Sequence, residues 1–161
     1  MTPATKLLDK AGIDYRLHRY QHDPKAESYG VEAADKLGLD PARVFKTLLA
    51  SSETAELLVA IVPVNGLLDL KALAASANVK KIAMADPAAA QRSTGYLLGG
   101  ISPLGQKKAL RTFIDTSARQ WPTLYVSGGR RGLEIELTAE ALASQTRGEF
   151  ANISRADKPH H

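Results

Sequence analysis

Lys46 stands inside the run Val44-Phe45-Lys46-Thr47-Leu48-Leu49. On a strand, Phe45 and Thr47 point to one face and Val44, Lys46 and Leu48 to the other. The lysine therefore either snorkels to solvent or points into a cavity. Its compact charge and three donors suit a phosphate, a carbonyl oxygen or a developing oxyanion. A second candidate is Gly95-Tyr96-Leu97-Leu98-Gly99-Gly100-Ile101-Ser102-Pro103-Leu104-Gly105, a loop rich in glycine with one proline. Its backbone N–H groups can gather into an anion-binding concavity or an oxyanion hole, or the segment can be a structural turn. A phosphate loop of the G-x-x-x-x-G-K-[ST] kind is excluded: after Gly100 and Gly105, Gln106 takes the lysine position and Lys107 the Ser/Thr position. Ser127-Gly128-Gly129 offers a hydroxyl and close backbone approach, or a plain hairpin turn.

Other chemistries lack their residues. The chain has no cysteine, which removes disulfides, thiolate metal sites and a protein thiol nucleophile. Gly-x-Ser-x-Gly does not occur, so there is no nucleophile elbow. His18 and His22 are four apart, but on a strand and its following loop they share no helical face, and Asp23 alone does not complete a metal site. They read as satisfied or exposed histidines, and no metal is expected. Lys and Arg total 21 against 17 for Asp and Glu, a formal charge of +4 that favours an anionic partner only mildly. The clusters Lys80-Lys81, Lys107-Lys108-Arg111 and Arg130-Arg131 either contact phosphates, if the fold gathers them, or are solvated surface.

The elements that must position these residues are short. Leu7, Leu8 and Ala11 before Gly12 predict a helix with a glycine stop, and Ile13-Asp14-Tyr15-Arg16-Leu17 alternates as a half-buried strand. Gln21 to Lys25 is a loop. Ser28 caps a predicted helix through Val31, Ala34 and Leu37 that Gly38 ends, and Asp40-Pro41 caps a short turn. Val44 to Ala50 and Glu56 to Pro63 are strands joined through Ser51-Ser52-Glu53-Thr54, with Asn65-Gly66 as the next turn. Asp69 caps a helix to about Ala77, Val79 to Ala85 reads as a strand, and Asp86-Pro87 opens another helix. Thr123 to Val126 and Leu133 to Leu137 are strands around a glycine-rich turn. Thr138 begins a final helix of about two turns. Beyond Ser154 the chain is expected to be loose.

Short strands with helices between them, and no regular βαβ alternation, predict an α+β domain with a mostly antiparallel or mixed sheet. With 161 residues, 44% hydrophobic, one domain is the economical reading: residues 1–154 as the domain and 155–161 as a flexible tail. His160 and His161 carry no weight. Met1-Thr2-Pro3-Ala4 has no charged region followed by an apolar stretch, and the longest apolar run, Leu57 to Val64, is far below the ~20 residues that span a bilayer. A soluble, unprocessed, cytoplasmic protein is expected, with neither a membrane nor DNA as partner.

Several segments together carry a resemblance: Met1-Thr2-Pro3-Ala4 with Lys6-Leu7-Leu8, Tyr20-Gln21-His22-Asp23-Pro24, Val44-Phe45-Lys46-Thr47-Leu48, Leu68-Asp69-Leu70-Lys71 and Met84-Ala85-Asp86-Pro87. The longest runs from Ala90 through Gly95-Tyr96 and Gly99-Gly100-Ile101-Ser102-Pro103 to Lys108, followed by Tyr125-Val126-Ser127-Gly128-Gly129 and Arg131 to Leu137. On these residues the chain resembles the YbaK family of Cys-tRNA deacylases, in its close bacterial branch, to about Ile153. The resemblance implies an α+β fold whose strongly curved mixed sheet, with helices around it, forms a pocket containing a lysine, here Lys46. It implies kinship with the editing domain inserted in some bacterial prolyl-tRNA synthetases. Gly99-Gly100-Ile101-Ser102-Pro103 matches the family's G-x-x-x-P loop, expected to hold the aminoacyl carbonyl by backbone donors. Tyr20, Thr47, Ser127, Gly129 and Glu134 fall where the same pocket would be lined, and Glu134 stands where some relatives have aspartate.

The activity so implied is removal of cysteine from mischarged Cys-tRNA(Pro), and in some settings Cys-tRNA(Cys), with aminoacyl-tRNA and prolyl-tRNA synthetase as partners and no cofactor. The substrate's own thiol attacks its ester carbonyl. Lys46 positions the carbonyl or the terminal nucleotide, and the N–H groups around Gly100 and Ile101 stabilise the oxyanion. Two readings stay beside this one: an Ala- or Ser-tRNA deacylase with water as nucleophile, and a non-catalytic module that binds aminoacyl-tRNA or the synthetase.

Overall fold

The structure, a computed structural model, describes residues 1–26 and 29–156. Helix α1 (Pro3–Ala11) begins at a capping box, in which the Thr2 hydroxyl accepts from the Thr5 N–H and the Thr5 hydroxyl caps Thr2 in return. It ends at Gly12 in the left-handed region. The first strand begins later than its alternation suggests: β1 is Arg16–Arg19. The Ile13 N–H is still committed to the Leu8 carbonyl of the helix cap, and the Tyr15 hydroxyl reaches back to Asp9. Ile13 and Tyr15 do pack on the core, but as part of the cap. Helix α2 (Tyr29–Leu37) follows, and its expected cap, Ser28, lies outside the described residues. Asp40 caps a single 3₁₀ turn, Pro41–Arg43.

Two long strands come next, β2 (Phe45–Ser52) and β3 (Leu57–Pro63), an antiparallel pair in which Lys46 faces Val62 and Thr47 faces Ile61. After β4 (Gly66–Leu68), α3 (Leu70–Ala77) starts on the Asp69 cap and closes at Asn78 in the left-handed region. Strand β5 is Ile82–Met84, shorter than expected. The Val79 N–H finishes the α3 cap, and the Lys80 and Lys81 N–H groups are held at 3.1 and 3.0 Å by the Glu53 carboxylate, so no ladder forms before Ile82. Helix α4 (Pro87–Thr94) opens on Asp86 and ends at Gly95. Strand β6 (Arg111–Asp115) was not foreseen from sequence. Strands β7 (Leu124–Ser127) and β8 (Leu133–Leu137), then α5 (Ala139–Thr146) on its Thr138 cap, stand where the sequence places them, and β9 (Glu149–Ala151) and β10 (Ser154–Ala156) are the last described strands. The end beyond Ser154 is not loose as far as it is described, because Arg155 pairs with Leu67 and Ala156 with Gly66.

The strands form a five-stranded sheet of order β5-β2-β3-β6-β9, a three-stranded sheet β1-β8-β7 and the pair β10-β4. The large sheet is mixed: β2 is antiparallel to β3 and β5, whereas β3–β6 and β6–β9 are parallel. Central β3 is covered on both faces. Val59 and Ile61 join the main core with Leu8, Phe45, Ile114 and Leu142, and Leu58, Ala60 and Val62 meet Leu73, Phe113 and Ile153 on the other side. Each such side chain withdrawn from water contributes roughly 1.5–3 kcal/mol before entropy is counted. The two larger sheets are joined where Val44, just before β2, bridges to Tyr125 of β7 in parallel. That seam brings Lys46 and Thr47 of β2 beside Ser127 of β7 and Glu134 of β8, which face one another across their own ladder. No helix among the described residues is long and apolar enough to cross a membrane.

Candidate active site

At the seam lies a cavity of about 340 Å³. Lys46 and Thr47 line it from β2, Ser127 from the end of β7, Glu134 from β8 and Tyr20 from the residue after β1; Gly99 and Ile101 close it from the glycine-rich loop. Lys46 is half-buried and lines the same cavity as that loop. Arg130 and Arg131, which the sequence marks only as a basic cluster, also line it, as do Gly30, Phe45, Leu48 and Leu98, which carry no sequence signal of their own. Gly30 is needed for packing: a β-carbon there would stand 2.3 Å from Val64 Cγ1.

Four residues expected at the site do not line the cavity. Gly100 donates its N–H to the Leu97 carbonyl at 3.0 Å, closing a turn whose third residue, Gly99, has φ 85°, as a type II turn requires. That N–H is therefore committed within the loop. The lack of a side chain at Gly100 also lets the loop rest on Arg130, whose Cα would be 2.8 Å from a β-carbon. Ser102 is fully buried, with its hydroxyl accepting from the Leu104 N–H, and Pro103 is buried beside it. Gly129 packs under the Tyr96 ring, and its N–H donates to the Ser127 hydroxyl at 3.1 Å. These four shape the cavity from behind. Ile101 differs from Gly100: among the described residues none accepts from its N–H.

The loop is pinned from both ends. The Tyr96 hydroxyl donates to the Leu104 carbonyl at 2.6 Å, and burial pushes this phenol up to about 12, so it remains a donor at neutral pH. Thr2 donates to the Gly128 carbonyl at 2.5 Å and ties the start of α1 to the β7–β8 turn. Gly105 sits where a β-carbon would come within 2.6 Å of the Pro3 carbonyl.

The electrostatics of the wall are uneven. Lys46, Arg130 and Arg131 share the wall with one carboxyl, Glu134, which is only 6% exposed and is pushed by burial up to about 8. At neutral pH that carboxyl is mostly neutral and can donate as well as accept. Its Oε2 and the Thr47 hydroxyl are buried without a hydrogen-bond partner among the described residues. Such orphans cost ~1–3 kcal/mol each. The cavity wall thus carries three cationic side chains and one largely neutral carboxyl. Burial also raises the Tyr20 phenol, keeping it protonated. The two histidines are both satisfied, by separate carboxylates: His18 Nε2 lies 2.8 Å from Glu136 and His22 Nδ1 2.7 Å from Glu32. Among the described residues no group of three or more His, Asp or Glu is arranged to hold a metal ion.

The family model described as the aminoacyl-tRNA editing domain matches residues 23–144, most of the chain and nearly all of the cavity wall. The chain belongs to the aminoacyl-tRNA editing domain family. EbsC of Enterococcus faecalis, provisionally named a Cys-tRNA(Pro)/Cys-tRNA(Cys) deacylase, is 36% identical to this chain over 95% of it and 93% of its own length. Two crystal structures have the same fold. The hypothetical protein APE2540 superposes with a TM-score of 0.85 at 22% identity over 95% of this chain and 99% of its own. A provisionally assigned trans-editing enzyme for prolyl-tRNA synthetase superposes at 0.84 and 19% identity, covering 96% of each chain. The α+β editing-domain fold expected from sequence is therefore the fold observed.

Proposed function

We propose that the chain is a trans-editing deacylase that removes cysteine from mischarged Cys-tRNA(Pro), by attack of the substrate's own thiol. The observation that carries this reading is that Lys46 and the Gly99–Ile101 loop line one cationic cavity in a chain that has no cysteine of its own. The family membership and the EbsC likeness support it. In the reaction, the cysteine sulfur bonds to the ester carbonyl carbon, the bond to the ribose 3′-oxygen breaks, and the thiol proton passes to that oxygen. The product is a four-membered cyclic thioester that water opens to free cysteine. Proximity in such an internal attack can supply ~7–11 kcal/mol of the barrier, so the protein needs to hold rather than to attack. Lys46 and the Ile101 N–H stabilise the oxyanion, while Tyr20, Thr47, Ser127 and Glu134 orient the aminoacyl group. Gly99, Gly100, Ser102, Pro103 and Gly129 fix the loop that presents Ile101.

Selectivity is chemical. Serine has the same shape, but its neutral hydroxyl is a far weaker nucleophile than a thiol that is partly thiolate near neutral pH. In this reading the protein works in the cytoplasm beside prolyl-tRNA synthetase, which can mischarge cysteine because size alone discriminates by only ~1–3 kcal/mol per methylene. The test is a deacylation panel with Cys-, Ala- and Ser-tRNA, with and without the synthetase. Rapid loss of cysteine alone is expected. A Cys-to-Ser rate ratio near unity would end the thiol-assisted mechanism.

A further inference from the structure

His22, Glu32 and Arg131 form a chain of contacts that ends on the cavity wall. Arg131 Nη1 lies 2.7 Å from His22 Nε2, and His22 Nδ1 lies 2.7 Å from Glu32 Oε1. A guanidinium only donates, so Nε2 must accept, the ring proton must sit on Nδ1, and Nδ1 must donate to the carboxylate. Glu32 is itself fixed. It is buried in the first turn of α2, where the helix dipole favours an anion, and its Oε2 accepts the Asp23 N–H at 2.7 Å. Burial works against this carboxylate, but the bonds from His22 and Asp23 outweigh it and hold it below the usual range. Gly132 brings the two strand ends together: its carbonyl accepts the Tyr20 N–H at 3.0 Å, and a β-carbon on it would meet the Tyr20 carbonyl at 2.8 Å.

We propose that His22 and Glu32 are positioning residues that hold the Arg131 guanidinium as a clamp for a phosphate of the substrate's 3′-terminal nucleotides. The proposal rests on the aminoacyl-tRNA reading above. In an aminoacyl-tRNA the amino acid's carboxyl is esterified and its amine is cationic, so the anions near the reacting ester are phosphates. Arg131 lines the cavity with Arg130 next to it, and a planar guanidinium matches phosphate with paired donors. Without the relay, a long arginine side chain would lose its rotamer freedom on binding; with it, the plane is set beforehand.

The test uses the two amides that mimic the ring one nitrogen at a time. His22→Asn places an amide where Nδ1 stands, keeping a donor for Glu32 and withdrawing the acceptor from Arg131. His22→Gln places an amide oxygen where Nε2 stands, keeping the acceptor for Arg131 and withdrawing the donor from Glu32. Adenosine 5′-monophosphate is titrated calorimetrically into wild type, both variants, Arg131→Ala and the His22→Asn/Arg131→Ala double variant, and KM and kcat for Cys-tRNA are measured alongside. Arg131→Ala and His22→Asn are each expected to weaken the nucleotide and raise KM about tenfold, with kcat within about twofold of wild type. His22→Gln is expected to stay near wild type, and His22→Asn to add nothing once Arg131 is gone. No nucleotide binding by wild type, unchanged binding in His22→Asn or Arg131→Ala, or a loss in His22→Gln at least as large as in His22→Asn would overturn the clamp. The nucleotide arm needs no turnover. An inactive wild type with His22-dependent binding would defeat the deacylase reading alone, and an active enzyme indifferent to His22→Asn would defeat the clamp alone.

Discussion

A β-carbon built on Gly129 would stand 2.8 Å from Cε1 of Tyr96 and 3.0 Å from Cβ of Thr2, so the β7–β8 turn, the glycine-rich loop and the start of α1 meet at one point that admits no side chain. Gly129 also has φ 113°, a conformation open to glycine and strained for other residues. Gly129→Ala is therefore expected to destabilise the fold by roughly 2–4 kcal/mol through combined overpacking and backbone strain. Urea denaturation checks this, and a midpoint equal to wild type would show that the turn relaxes without cost.

The three segments that meet here are far apart in the chain, and no local sequence pattern encodes their contact. The capped helices were legible because Asp69, Asp86-Pro87, Thr138 and the glycine stops act within one turn of chain. The hairpins β2–β3 and β7–β8 were legible from β-rich runs on either side of turn residues. Strand β6 was not, because its partners β3 and β9 are parallel and distant, and no turn announces them. Lys46 could be singled out as odd in its setting, but both of its orientations were open. Its place on the cavity wall depends on the Val44–Tyr125 bridge, a pairing between residues 81 apart that no local pattern encodes. Gly100 failed as a donor for the opposite reason: its N–H is used by its own turn, which depends on the φ of Gly99 and not on the glycine count. The sequence left His22 as either satisfied or exposed; it is satisfied, and its partners Glu32 and Arg131 lie on other elements.

Asp115 is the buried anchor of the chain's last described segment. One carboxylate oxygen accepts the Ile153 and Ser154 N–H groups at 3.1 and 3.0 Å, and the other accepts the Ser117 N–H and hydroxyl. Asp115→Ala would strand the buried Ile153 N–H and remove the acceptor from three part-buried donors, at a cost of roughly 2–4 kcal/mol. Because those donors lead into β10, hydrogen exchange at Arg155 and Ala156 is expected to accelerate more than at β3. Equal acceleration throughout would make the effect global and remove Asp115 as a local clasp.

Lys46→Ala separates holding from folding. If the amine stabilises developing charge on the carbonyl oxygen, its loss should lower kcat/KM for Cys-tRNA by about 10²–10³-fold, the range for removal of one oxyanion donor. Far-ultraviolet circular dichroism should be unchanged, since the core of β2 is formed by Phe45, Leu49 and Ala50. Lys46→Arg keeps the charge but spreads it over a fork, and is expected to recover only part of the rate. Undiminished turnover in Lys46→Ala would take the residue out of the mechanism.

Glu134 makes the fold itself sensitive to pH. Burial raises its carboxyl to about 8 from the ordinary 4.5, so between those values the folded chain keeps a proton that the unfolded chain has lost. Its contribution is then fully present below the unfolded value and is lost as pH rises toward the folded one, with a slope of roughly 1 kcal/mol per pH unit for one proton. Above about pH 8 the loss levels off, because both states are then ionised. Glu134→Gln has nothing to ionise and should remove this slope, gaining on wild type steadily from pH 5 to pH 8 in denaturant titrations. The same variant keeps a donor and an acceptor in the cavity, so its deacylation at pH 6, where wild-type Glu134 is protonated, should stay near wild type, and the two should diverge above pH 8 as the wild-type carboxylate appears beside the reacting ester. Parallel stability curves for the two proteins across that window would mean that Glu134 is already ionised in the fold, and would transfer its place on the cavity wall from a hydrogen-bond donor to a counter-charge for the surrounding cations.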